Sequence, residues 1–186
     1  MSKSWSRIKK RLEQDLLCEK LHGRVQYFRT IYHKAPDKYG RFAVRVDGEE
    51  IFQACPYNEN NYSQIAQKIK KERSIPPREW TGREMLYSAV NSAVEDEARM
   101  ISVNDGIVDS FDIPFTIQKY LNLNIQKSIV DEDPLIRMFA ILDRRVGKRT
   151  LYKISETAPD QPEWLHKFYK LRLDTEGIPA PYRYYS

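Results

Sequence analysis

Two cysteines in 186 residues, Cys18 and Cys55, are too few for a disulfide framework. Without CxxC spacing they read as small hydrophobes in a reducing compartment. Histidine is equally scarce: His22, His33 and His166 stand apart, no HExxH occurs, and no metal site is expected. The seven glycines build neither a GxxxxGK[ST] phosphate loop nor a GxSxG nucleophile elbow, so nothing points to a cofactor or to covalent catalysis. Long apolar runs are missing too. No segment reaches the roughly 18 apolar residues of a membrane span, and the opening MSKSWSRIKKRLEQDLL has no apolar signal core. A cytoplasmic protein with no membrane partner is expected.

What is present is charge, unevenly placed on an ordinary globular composition of 41% hydrophobic and 31% charged residues. Residues 1–80 carry 17 Lys and Arg against 10 Asp and Glu, whereas residues 81–186 carry 14 against 16. Within the second part, Arg137 to Lys153 holds six cations and one acid. Segregation of this kind makes local fields that steer a charged partner. The length suits one domain over 1–186, with room for a subdivision near 75–80 into a helix–meander–helix part (1–75) and a helical part (81–186).

The expected fold is α+β. Trp5, Ile8, Leu12, Leu16 and Leu21 make an apolar stripe on a first helix that Gly23 ends. Val25, Tyr27, Phe28, Ile31 and Tyr32 favour a strand, and Asp37-Lys38-Tyr39-Gly40 a turn. In RFAVRV, Phe42, Val44 and Val46 alternate with Arg41, Ala43 and Arg45, and Asp47-Gly48 then signals a type I′ hairpin into EEIFQA. Residues 24–54 thus predict a three-stranded antiparallel meander, with the first helix and the next one, carrying Tyr62, Ile65, Ala66 and Ile69, as its cover. The remainder is predominantly helical. Thr81 and Glu84 have capping-box spacing ahead of a buried stripe of Met85, Leu86, Ala89, Val90, Ala93 and Val94. Asn104-Asp105-Gly106 predicts a turn, and short helices are expected from Asp112 to Leu121 and from Ile125 to Val130. Asp133-Pro134 starts a helix with Leu135, Met138, Phe139 and Leu142 on one face, and Gly147 is expected to end it. A last helix runs from near Pro162 to Gly177, and Tyr182, Tyr184 and Tyr185 are candidates to dock the tail.

Two basic clusters are candidate contacts. Arg144, Arg145, Lys148 and Arg149 surround Gly147 in LDRRVGKRTL, where guanidinium forks could grip phosphate or carboxylate; the competing reading is a solvated helix end with Asp143 as a local partner. Arg24, Arg29, Arg41 and Arg45 interleave with Tyr27, Phe28, Tyr32, Tyr39 and Phe42, a composition that suits nucleic acid but also a basic sheet face protecting strand edges. The carboxylate groups Glu95-Asp96-Glu97, Asp109 with Asp112, and Asp131-Glu132-Asp133 could bind Mg²⁺, but each is more simply a cap or a solvated face. Pro36-Asp37 matches the start of a restriction-type nuclease motif whose later lysine is missing from Glu49-Glu50-Ile51-Phe52.

Four stretches, WSRIKKRLEQDLLC, LHGRVQYFRTIY, GRFAVRVDGEEIF and DPLIRMFAILDRRVGKRTL, are together similar to a family of uncharacterised bacterial proteins over nearly the whole chain. That resemblance implies a bacterial cytosolic protein and carries over no catalytic residue. The expected function is a non-enzymatic binding module for an anionic partner, nucleic acid or an acidic protein surface. The alternatives are an adaptor or immunity-type protein and an Mg-dependent phosphodiesterase or nuclease.

Overall fold

In the computed structural model, which describes residues 4–31, 34 and 40–179, the N-terminal stripe is helical only as far as Leu16. Helix α1 (Trp5–Lys10) passes directly into a π-helical stretch, Arg11–Leu16. Leu17 then leaves the helix because a distant segment offers its backbone other partners. It bridges antiparallel to Asp143, the Cys18 N–H donates to Leu142 O at 2.9 Å, and the Arg144 N–H donates to Leu16 O at 2.7 Å. Leu21, expected on the same helix, is buried from a separate 3-10 turn, Glu19–Leu21.

The meander forms as predicted. Strands β1 (Val25–Arg29), β2 (Phe42–Val46) and β3 (Glu49–Ala54) pair antiparallel in the order β1-β2-β3. Asp47 and Gly48 have φ of 51° and 89°, as a type I′ turn requires. Of the turn expected between β1 and β2, residues 37–39 lie outside the described residues. Gly40 is described, and a Cβ there would fall 1.5 Å from the Thr30 carbonyl oxygen, so only glycine fits.

The buried sheet face presents Val25, Tyr27, Phe42, Val44, Phe52 and Ala54. Its cover differs from the expectation in one respect. Trp5 of α1 meets Phe42 edge-on at 6.1 Å, Phe139 packs on Tyr27 at 5.6 Å, and Trp164 and Phe168 lie 4.8 and 6.4 Å from Phe52. The second helix, α2 (Glu59–Glu72), does not take part. It packs on α3 (Ala89–Asn104) around a separate small core of Ala66, Ile69, Val94 and Ala98. Only two residues of α2 are buried, whereas the more apolar C-terminal helices supply the broader faces that the sheet needs. α2 and α3 stand on either side of residues 75–80 and are tied by Lys70–Glu95 and Arg73–Glu97 pairs at 2.9 and 2.6 Å.

Helix α3 starts later than Thr81. Ser88 is its cap, accepting from the Asn91 N–H at 3.3 Å. Thr81 and Glu84 do bond to each other, but they close a tight turn whose flanks, Trp80 and Met85, bridge antiparallel. The stripe expected to be buried is largely outside: Met85, Leu86 and Val90 are exposed, as are Trp80 and Tyr87, and Val94 alone is buried. The buried line of the helix is Asn91, Val94, Ala98 and Ser102.

The Asn104-Asp105-Gly106 turn forms with Gly106 at φ +79°, followed by α4 (Asp112–Asn122) and α5 (Ile125–Ser128). α6 (Pro134–Leu142) begins at its Asp133 cap, which accepts from the Leu135 N–H at 2.9 Å. All of α6 except Arg137 is buried, so it is a central helix, not one with a single apolar face. It ends at Leu142. Gly147, expected to end it, instead precedes a helix the sequence did not announce, α7 (Lys148–Thr157). α8 (Glu163–Glu176) follows and ends at Gly177, φ +69°. Among the described residues no helix is long and apolar enough to cross a membrane. The tail tyrosines Tyr182, Tyr184 and Tyr185 lie outside the described residues.

Candidate functional site

The basic edge at 144–149 is held by a buried acid. Asp143, 1% exposed, accepts the Tyr120 hydroxyl at 2.5 Å, the Arg145 backbone N–H at 2.8 Å and the Arg145 guanidinium through Nε and one terminal nitrogen at 3.0 and 2.6 Å. Burial, then the Asp143 charge, raises the Tyr120 pKa, which keeps that hydroxyl a donor. The turn is pinned from the other side by Arg172, which donates to Val146 O at 3.1 Å. Arg145 is therefore committed to the fold. Arg144, Lys148 and Arg149 are exposed, and among the described residues no carboxylate lies within ion-pair distance of Arg144 or Arg149.

Beside this turn the start of α7 is chemically unusual. Its cap residue is Gly147, which brings no side-chain acceptor, and its first turn contains no acid. Among the described residues the N–H groups of Gly147, Lys148 and Arg149 have no acceptor. Lys148 and Arg149 place positive charge at the positive end of the helix dipole, each costing about 0.3–1 kcal/mol. The adjoining depression, of about 470 Å³, is lined by Lys20, Arg144, Arg145, Lys148 and Arg172 with Glu19 and Glu176 as its acids. Glu176 is tied to Arg172 and to Lys20 at 3.0 Å, with Lys148 at 4.0 Å. The Arg172 hydrogen bond, helped by Lys20 and opposed by burial, holds its carboxyl down to about 2.

The four sheet arginines are placed differently. Arg24 forms a two-pronged pair with Asp47 at 2.9 and 2.7 Å, and Arg41 one with Glu50 at 2.7 and 2.9 Å. Arg45 lies 3.6 Å from Glu50 and over the Phe28 ring at 4.4 Å, with Lys9 also over that ring at 4.6 Å. Arg29 is exposed, with no carboxylate in pairing distance among the described residues. Tyr27 and Phe42 are buried, and Tyr32 and Tyr39 lie outside the described residues. The two clusters line separate depressions, Arg29 and Arg41 one of them and Arg144, Arg145 and Lys148 the other.

Most of the carboxylates in these groups are spent on structure. Glu95 pairs with Lys70 and Arg78, and Glu97 with Arg73. Asp109 accepts the backbone N–H groups of Glu59 and Phe111, while Arg99 bridges Asp112 and Asp133 at 2.9 and 3.1 Å. Asp131 pairs with Lys119. Among the described residues no group of three or more His, Cys, Asp or Glu could hold a metal ion. Pro36-Asp37 lies outside the described residues.

Sequence reasoning placed Asp143 beside the cluster as a local partner but missed its burial, its bond to Tyr120 and the Glu176 clasp. For the clasp, the i,i+4 spacing of Arg172 and Glu176 was a visible signal, but Lys20 is too far along the chain to be foreseen.

The model of the SF0329 protein family matches residues 4–173, from α1 into α8. No curated protein and no solved structure matches the chain.

Proposed function

The chain belongs to the SF0329 protein family, and we propose that it is a non-enzymatic binding module whose edge at Arg144, Lys148 and Arg149 receives an anionic partner. The observation that carries this reading is the exposure of those cations beside a helix start with unused N–H donors. An acidic protein surface is favoured over nucleic acid. Of the sheet aromatics among the described residues, Tyr27 and Phe42 are buried and the Phe28 ring is approached by Lys9 and Arg45, and three of the four sheet arginines are paired with hairpin acids. Arg29 is a secondary contact in this reading.

An adaptor role is the second reading, favoured by the exposed Trp80, Met85, Leu86 and Tyr87 on the turn before α3. A phosphodiesterase draws no support from carboxylates already engaged in caps and pairs. Cys18 and Cys55, both free thiols, suit the bacterial cytosol proposed as its setting.

The test uses a polyglutamate peptide and a single-stranded oligonucleotide as defined probes. Replacing Arg144, Lys148 and Arg149 together by Ala is expected to leave the circular dichroism spectrum intact and to weaken polyglutamate binding about tenfold or more, with a steep salt dependence. Unchanged affinity in the triple variant would remove the proposed edge. Oligonucleotide binding that outlasts the triple variant but fails in Arg29→Ala would move the site to the sheet.

A further inference from the structure

Charge balance in the depression beside α7 allows its ligand to be named more closely. Five cations line it, Lys20, Arg144, Arg145, Lys148 and Arg172, against two acids, Glu19 and Glu176. Arg145 is neutralised from behind by Asp143, which leaves a local excess of two positive charges. The donors also come from several directions. Arg144 borders the same space as Gly147 and Lys148, whose backbone N–H groups are unused. Arg172, 2% exposed, lines the same space, and its Nε–H is buried without an acceptor among the described residues although its other nitrogens are bonded.

A carboxylate is planar, carries one charge and is satisfied by a single two-pronged arginine. A phosphate monoester carries about two charges at neutral pH and spreads them over three oxygens in different directions. Helix starts with free N–H groups are suited to such oxygens. We propose that the depression formed by Lys20, Arg144, Gly147, Lys148 and Arg172 is a seat for one phosphate monoester group. This rests on the reading that the basic edge engages an anion, and it specifies which anion. Lys148 and Arg149 then make sense at a helix start that they disfavour, because a bound dianion turns the repulsion into attraction. The absence of a side chain at Gly147 leaves the N–H groups open to the ligand.

Gly147 also supplies the decisive variant. Its backbone is extended, at φ −77° and ψ 163°, and a Cβ there would meet nothing within 4 Å. Gly147→Asp can therefore cap α7 with its own carboxylate. It should keep or raise stability while filling the seat. The measurement is the thermal unfolding midpoint of the full chain at pH 7.5 and constant ionic strength, titrated with inorganic phosphate, O-phosphoserine, acetate or chloride. Both phosphates are expected to raise the midpoint saturably and the other two not. Gly147→Asp should abolish the response, and Arg144→Ala should weaken the fitted affinity about tenfold, the size of one charge-assisted hydrogen bond. A stronger response to O-phosphoserine than to phosphate identifies a phosphorylated side chain as the source, and equal responses a free phosphate.

Equal effects of phosphate and chloride on the native chain would overturn the seat, as would a native response in Gly147→Asp. If phosphate has no effect but the triple alanine variant still loses polyglutamate, the seat fails and the binding edge stands. If the phosphate response is normal but polyglutamate ignores the triple variant, the acidic-protein partner fails and the seat stands.

Discussion

Asp143 separates two kinds of arginine that look alike in the sequence. Arg144 and Arg145 are neighbours, but the buried Asp143 carboxylate takes the Arg145 guanidinium and leaves Arg144 in solvent. Removing Arg145 strips a carboxylate with 0% side-chain exposure of its only ionic partner among the described residues. Arg145→Ala is therefore expected to cost about 2–3 kcal/mol in urea unfolding, the penalty for a buried half-pair reduced for the partial exposure of the guanidinium. Arg144→Ala should stay within about 0.5 kcal/mol. Equal effects of the two would contradict the assignment. The cluster as a whole was legible because charge is written in composition. Its division was not, since Asp143 is buried and bonded by Tyr120, 23 positions away. For the same reason Arg24 and Arg41 looked available in the sequence, although each finds a hairpin acid across the sheet.

At the scale of elements, local signals succeeded where partners are near. Asp47-Gly48 and Asp133-Pro134 each set a boundary by backbone geometry and one or two hydrogen bonds, so a few residues suffice. The start of α3 misled because Thr81 and Glu84 can satisfy each other in a turn as well as in a helix cap. The helix then begins at Ser88, with Val94 inward and Val90 outward. Val94→Ala is expected to cost about 1–3 kcal/mol, and Val90→Ser less than about 0.5 kcal/mol, both read from denaturant midpoints. A larger loss at Val90 would mean that the face is covered. α7 escaped notice for a related reason. Its first residues carry the wrong charge for a helix start, and Gly147 resembles an end more than a beginning.

At the scale of the molecule, Glu176 gathers Lys20 from the N-terminal region, Lys148 from α7 and Arg172 from its own helix. Its carboxyl, held to about 2 from an ordinary 4.5, contributes stability that is complete above about pH 4.5 and is lost as pH falls towards 2. Glu176→Gln should be less stable than the native chain at pH 7, with the gap closing between pH 4.5 and 2 in equilibrium unfolding; parallel pH curves would refute the clasp. Hydrophobic spacing, turn chemistry and caps determined by themselves the α+β class, the meander and the last helix, because each depends on residues a few positions apart. Tertiary structure decided where the first helix stops, that α2 pairs with α3 in preference to the sheet, and which cations remain free. Those outcomes depend on bonds such as Leu17 with Asp143 and Lys20 with Glu176, whose partners meet only when the chain is folded.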